Sequence, residues 1–524
     1  MACSRKGSTL VDKSVHDQVL HVGNKDEPAT LDPHLNNSST TNLLLGSMFE
    51  GLVDLANDGK TILPGVAERW EISDDGRTYL FHLRETARWS NGDPLTATAF
   101  RDSYLRLIDP VLGSERSSLA FVIVGAREFL ERRSNDPASV GLRVVDDHTL
   151  EMRLNHPAPY WLAMIAQGPF FPLHRPSVDA AGGWTNRSAS LTTGGKLVSN
   201  GAFKLAEWRS NAFVRVIRNE HYWDAARVRL KEIRFYPTDN ETSEERTYRA
   251  GQLHVTYRLP TNKIALYERE RAAELCITPQ LRSEFLTYNL AASPFTDVRL
   301  RRAFSLAVDR EQLVRITLGK LAAPADTLVR PGTGGYFTPH LKRFDPTEAR
   351  RLLAECGYAG GAGFPKVEFT LNGNAGRQLL VGEALQQMWA EQLGIRVELK
   401  PVEFTMYLTL NRTKAFQLLL DGWGYSLDDP RDLLQVSTSY DPNNSAGWVN
   451  LTYDRAFEAS DMTGDPAERQ VAFSAMESLM AQEVPYAPLF YPNQGYLVHP
   501  TVRGWRTNGL RAIDWRELWL EAPP

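Results

Sequence analysis

The residues best placed to do chemistry lie in the run FQLLLDGWGYSLDDPRD, where Asp421, Asp428, Asp429 and Asp432 surround Gly422-Trp423-Gly424. Two carboxylates can serve as acid and base in glycoside hydrolysis, but only when the fold holds them at a defined separation. Spacing along a loop sets no such separation, and a solvated turn closed by Pro430 accounts for the same residues. The segment also reads as a binding surface. FQLLL is apolar and long enough for a buried strand, and ligands of α/β sheets bind at the carboxyl ends of such strands. Glycines there let another backbone approach closely, and Trp423 offers a flat wall. A tight turn around a core Trp is the competing reading, of equal weight on residue types alone.

Other catalytic and metal chemistries find no anchor. The 11 histidines include no pair at helical ligand spacing, so no zinc site is expected; His82 and His254 fall in strand-like runs and read as structural. Lys196 follows Thr192-Thr193-Gly194-Gly195, but Leu197 stands where a phosphate loop needs Ser or Thr. The second glycine-rich loop, at 360–363, reads like the first as a flexible connection. No Gly-x-Ser-x-Gly elbow is present. The three cysteines, Cys3, Cys276 and Cys356, make an odd count that argues against a disulfide framework. Cys276 and Cys356 read as small buried hydrophobes. The balance of 59 basic and 63 acidic residues gives a net charge of -4 without a basic block, which argues against a nucleic-acid partner. No stretch of 18 apolar residues spans a membrane.

A chain of 524 residues exceeds one hydrophobic core, so two or three lobes are expected. Residues 1–18 read as a disordered tether, followed by a strand at Gln18–Val22. LDPHLNNSSTTN reads as a loop and LLLGSMFEGLVDL as the start of a helix. Trp70 and Ile72, the turn Asp74-Asp75-Gly76, then Tyr79, Phe81 and Leu83 spell a β-hairpin. Thr96 caps a helix carrying Phe100, Tyr104, Leu105 and Ile108. LRVVDDHTLEMRL is a second hairpin with Asp146-Asp147 at its tip. Val367, Phe369 and Leu371 alternate, a helix through Trp389 follows, and Ile395, Val397 and Leu399 alternate again. That is a right-handed βαβ unit with parallel strands.

The order of several segments resembles the bacterial oligopeptide- and dipeptide-binding proteins, the extracellular solute-binding proteins of family 5. The segments are TLDPH at 30–34, FEGLVD at 49–54 and LPGVAERWEISDDGRTYLFHLRETARWSNGDPLTATAF at 63–100. VVDDHTLEMRL at 144–154, SNGAFKLAEW at 199–208 and RNEHYWDA at 218–225 follow. YRAGQLHVTYRLP at 248–260, SPFTDVRLRRAFSLAVDREQLV at 293–314, DGWG at 421–424, VPYAPLFY at 484–491 and VRGW at 502–505 complete the series. Each is weak alone, and the ordered set covers nearly the whole chain.

The resemblance implies a three-lobed α/β periplasmic-binding-protein fold with its ligand cleft between lobes I and III. Lobe I would comprise 1–48, 175–280 and 491–524; lobe II, 49–174, would be an inserted α/β domain; lobe III would be 281–490. Hinges are expected at 276–286 and 488–492. It further implies that an extended peptide pairs with protein backbone as an added strand, while its side chains enter wet pockets. Transposed here, the rails are Asn36, Asn37, Ser38 and Ser39 in lobe I and Gly422, Trp423 and Gly424 in lobe III, with Trp423 and Phe285 as walls. The chain departs from the family where an Asp contacts the ligand's α-ammonium, since Ser426 stands there. An acidic residue usual near the lobe I rail appears as Asn37, and a Cys pair of the enteric protein falls on Arg282 and Gly424. Asp421, Asp428 or Asp429 is expected to take the anchoring role.

The expected function is an extracytoplasmic solute-binding protein that delivers peptides or peptide-like solutes to an ABC importer. It would be a monomer, docking on permease subunits, without catalysis, cofactor or metal. Its place is the periplasm or the outer face of the cytoplasmic membrane. Small residues around Cys3 resemble the processed end of a bacterial lipoprotein and imply a lipid anchor there. Rival readings are the same fold with a non-peptide or N-blocked ligand such as a murein fragment or sugar conjugate, a sensor that presents ligand to a receptor, and a carboxylate hydrolase.

Overall fold

The computed structural model describes residues 9–189, 197–339, 341, 344–373, 376–509 and 513–522. Cys3 and the Thr192–Lys196 loop lie outside them. The chain divides into two compact units, Met1–Thr278 with Gly495–Pro524, and Pro279–Gln494.

The first unit is built on two four-stranded sheets. In one, Val19–Gly23 pairs in parallel with Glu232–Tyr236, which continues antiparallel to Phe213–Arg218 and Phe203–Arg209. Its core gathers Leu44, Met48, Phe203, Val216, Phe235 and Trp515. In the other, the two expected hairpins join edge to edge: Ala67–Ile72, Thr78–Leu83, Thr149–Arg153 and Leu142–Asp146. The second hairpin turns at Asp147-His148, one residue beyond the expected tip. Ile72 is exposed because its strand is the sheet edge, whereas Tyr79, Phe81 and Leu83 are buried. The helix Ala97–Leu107 begins after Thr96 as expected, although the Thr96 side chain makes no capping bond.

One expectation fails at 39–55. The helix runs Ser39–Met48, starting inside the presumed loop. Asn36 Oδ1 accepts the Ser38 amide at 3.0 Å, an Asx turn that sets up Ser38 as N-cap, where its Oγ receives the Thr41 amide. The helix stops at Phe49, which is extended, and Val53–Leu55 is a strand. Leucine-rich composition marked the helix correctly, but the cap chemistry placed its start upstream.

The second unit carries the predicted βαβ unit: Glu368–Asn372, helix Gly376–Leu393 and Glu398–Val402, the strands parallel. Leu418–Gly424 lies between Glu368–Asn372, to which it is parallel, and Arg282–Tyr288, to which it is antiparallel. The core on this sheet includes Leu286, Phe304, Phe369, Trp389, Leu418 and Leu489. Cys356 closes the helix Pro346–Glu355 as its C-cap rather than sitting inside it.

Candidate functional site

Leu418–Gly424 does not turn at Asp421 but continues as strand through Gly424. Leu418, Leu419 and Leu420 are buried, and the four residues after them are progressively more open. The Tyr425 amide donates to Leu281 O at 2.8 Å and the Asn289 amide to Gln417 O at 3.1 Å. In an antiparallel ladder these bonds alternate. Odd-numbered residues of the strand therefore bond to Arg282–Tyr288, and Leu420, Gly422 and Gly424 direct their amide and carbonyl groups the other way. On that side the pairing with Glu368–Asn372 reaches only Leu419.

The helix Phe404–Thr413 closes part of this half-open edge. Tyr407 donates its hydroxyl to Leu420 O at 2.9 Å and lies 3.0 Å from Asp421 Oδ1. Asp421 also accepts Asn411 Nδ2 at 2.9 Å and the Gly422 amide at 2.8 Å. Burial holds the Asp421 carboxyl above its ordinary range, opposed by these donors. What the edge still presents is the carbonyl of Gly422 and both backbone groups of Gly424.

Arg282 and Glu284, two apart on one strand face, form an ion pair at 2.6 Å. The pair lies across Gly422, where an added Cβ would meet Glu284 Oε2 at 2.5 Å and Arg282 Nη2 at 2.6 Å. Sequence reasoning missed this pair as a site feature. The alternation Arg-Ser-Glu-Phe before a buried strand was its available signal. Arg282 and Gly424 face each other in register.

The other candidates fall in different surroundings. Trp423 is half-buried and packs on the cluster that contains Tyr425, Leu433 and Trp448. Phe285 is 4% exposed within that cluster, with its ring 5.4 Å from that of Tyr486, so it is a core residue of this unit. The Ser426 amide is held by Asp432, whose carboxyl burial pushes up. Asp428 accepts the Gly334 amide at 2.9 Å. Asp429 caps Pro430–Leu434 and grips Arg469 with both oxygens. The expected solvated turn is thus a packed, bonded loop, and Asp429 already has its cation.

In the first unit, Asn36–Ser38 carries the Asx turn, with Ser38 extended, and Ser39 is the first residue of the helix Ser39–Met48. Asn36 is buried and donates to Asn42 Oδ1 at 2.7 Å, and Asn37 donates to Glu115. Neighbouring motifs tie distant segments together. Arg106, 1% exposed, bonds Asp32 at 2.6 and 3.1 Å and His34 Nδ1 at 2.9 Å. Burial, with Arg106 beside it, lowers His34 to about 4. Glu50 receives Tyr222, Trp223 and Arg516, and burial pushes its carboxyl up to about 7. Asn200 bonds the Glu50 backbone, and Gly201 lies where a Cβ would strike Met48 C at 2.5 Å. TLDPH, FEGLVD, SNGAFK, RNEHYW and the C-terminal segment therefore meet in buried polar networks. These networks join segments far apart in the chain.

Among the described residues no group of His, Cys, Asp and Glu can hold a metal ion, and no helix is long and apolar enough to cross a membrane.

The profile described as "Bacterial extracellular solute-binding proteins, family 5 Middle" matches residues 61–445. The probable deoxycholate-binding periplasmic protein YgiS of Escherichia coli K12 is 31% identical over 515 residues, 96% of this chain and 94% of its own. The periplasmic murein peptide-binding protein MppA of the same organism is 29% identical over 96% of this chain and 92% of its own. The solved E. coli MppA structure superposes with a TM-score of 0.82 at 28% identity, covering 96% of this chain and 98% of that one. Haemophilus influenzae OppA in complex with RPPGFSPFR gives 0.79 at 27% identity, covering 96% and 99%.

Proposed function

Because the chain belongs to the bacterial extracellular solute-binding proteins of family 5, we propose that it captures a peptide or peptide-like solute outside the cytoplasm for an ABC importer. The observation that carries this reading is the half-open edge at Gly422–Gly424. An extended peptide adds to such an edge as a strand, its affinity coming from backbone bonds and its tolerance from wet side-chain pockets. Trp423 walls the edge. The relatives named for murein peptide binding and solved with RPPGFSPFR support a peptide-type ligand.

On this reading the protein is not an enzyme and acts as a monomer that hands its ligand to permease subunits. The division into lobes at 1–48, 49–174, 175–280, 281–490 and 491–524, the periplasmic location and a lipid on Cys3 belong to the same proposal. Native mass spectrometry of protein purified from its host tests it: a bound mass assignable to a peptide or peptide conjugate is expected. A bound sterol-like mass, or turnover of peptide or glycoside substrates, overturns it.

A second reading is favoured by two observations. Ser426 stands at the family's ammonium-contacting position, and a 31% identical relative is named for deoxycholate. A ligand without a free ammonium, blocked or non-peptide, fits both.

A further inference from the structure

A groove of about 600 Å³ in the first unit is lined by Arg227, Arg229, Trp505, Arg506, Glu517 and Trp519. It is shaped by the turn Ala225–Arg227, the strand pair Val502–Arg503 with Trp519–Leu520, and the turn Trp515–Glu517. None of these residues takes part in the edge at Gly422–Gly424.

The charges in the groove do not cancel. Arg516 at its back is met by Asp514 at 2.7 Å, Asp54 at 2.9 Å and Glu50 at 3.4 Å. Glu517, the acidic residue of the lining, pairs with Arg227 at 3.2 Å, and Arg227 also reaches Asp224 at 3.1 Å. Arg229 and Arg506 are left without a carboxylate partner among the described residues; both are exposed. Arg229 lies flat on Trp519, its guanidinium carbon 3.4 Å from the ring centroid. Stacking of this kind fixes the plane of the fork and leaves its N–H edge free to meet an oxyanion with two bonds.

We propose that this groove binds a phosphate-type oxyanion through Arg229 and Arg506, with the Trp519 ring holding Arg229 in place. The chain as a whole carries -4, so the two arginines are a local positive patch on a protein of opposite overall sign. Phosphate reaches such a site either as a lipid headgroup or free in solution. Tryptophan beside arginine suits both, since indoles sit readily at headgroup level.

The test has two arms on the full chain. Co-sedimentation with vesicles of phosphatidylglycerol in phosphatidylcholine, against phosphatidylcholine alone, reads the lipid source. Calorimetry with inorganic phosphate, and its competition against the vesicles, reads the free source. Binding on at least one arm is expected, reduced at least about tenfold by Arg229→Gln with Arg506→Gln. This double variant should leave far-UV circular dichroism and solute affinity unchanged. Absence of binding on both arms, or equal binding by the double variant, overturns the proposal.

Discussion

Asp429 holds Arg469, forty positions away, through two bonds of 2.8 and 2.9 Å, and each residue is only 8% exposed. The pair fastens the loop after the half-open edge to the long helix Pro466–Glu483. Removing one partner strands the other charge in a site shut off from water. Asp429→Ala should therefore lower stability by about 3–5 kcal/mol, read as a shift of the urea midpoint. Solute affinity in the folded fraction should change far less. A large affinity loss with unchanged stability would return Asp429 to the ligand.

Trp423 and Phe285 should separate cleanly. Phe285 is core, so Phe285→Ala should cost about 3–5 kcal/mol of stability. Trp423 is half-buried beside the edge, so Trp423→Ala should weaken solute binding by about 2 kcal/mol while the melting temperature moves little. Calorimetry and thermal denaturation on both variants measure the contrast.

The carboxylates near Ser426 are engaged: Asp429 by Arg469, Asp432 by the Ser426 and Leu427 amides, Asp421 by Tyr407, Asn411 and Gly422. A ligand ammonium lacking a counter-ion would pay heavily on burial. N-acetylation of a bound peptide should thus change affinity less than about threefold, under 1 kcal/mol. A loss beyond tenfold would reveal an ammonium anchor, and Asp421→Asn, Asp428→Asn and Asp432→Asn would identify the carboxylate that supplies it.

Two buried histidines should make their part of the stability fall with mild acid. His21 and His254 stack with ring centroids 5.5 Å apart beneath the helix Leu10–Asp17. Burial lowers them to about 4 and about 3. Unfolded, both protonate as pH drops through about 6.5, whereas the folded rings stay neutral until near 4. The unfolded state binds more protons there in that window, so this part of the stability is greatest above it and declines as pH falls from 6.5 toward 4. For His21 the loss is on the order of 3 kcal/mol. Glu50, pushed up to about 7, contributes the opposite sign in the same window, so the contrast lies between variants: urea unfolding at pH 7.5, 6 and 5 should show a smaller loss on acidification for His21→Gln than for the unsubstituted protein.

Several elements were legible from local pattern. The alternation around Asp74-Asp75-Gly76 and Asp146-Asp147 announced the hairpins, and the switch of period from two to 3.6 and back announced the βαβ unit. Such signals need only neighbours within one or two turns of chain. The ordered motifs lie elsewhere in the fold: Asp32, Glu50, Asn200 and Tyr222 serve buried networks whose partners are distant in sequence.

The amino-acid sequence by itself determined the two hairpins, the βαβ unit, the helix after Thr96 and the family. Tertiary structure alone decided what the polar residues do. Asp429 reads identically to Asp428 along the chain, yet one meets Arg469 and the other a glycine amide. Glu50 finds its partners at 222, 223 and 516, and the edge at Gly422–Gly424 is half-open only because its neighbour's pairing ends at Leu419. Backbone periodicity is a short-range property, but a carboxylate's role depends on which cation or donor the folded chain brings within about 3 Å, and sequence separation carries no record of that.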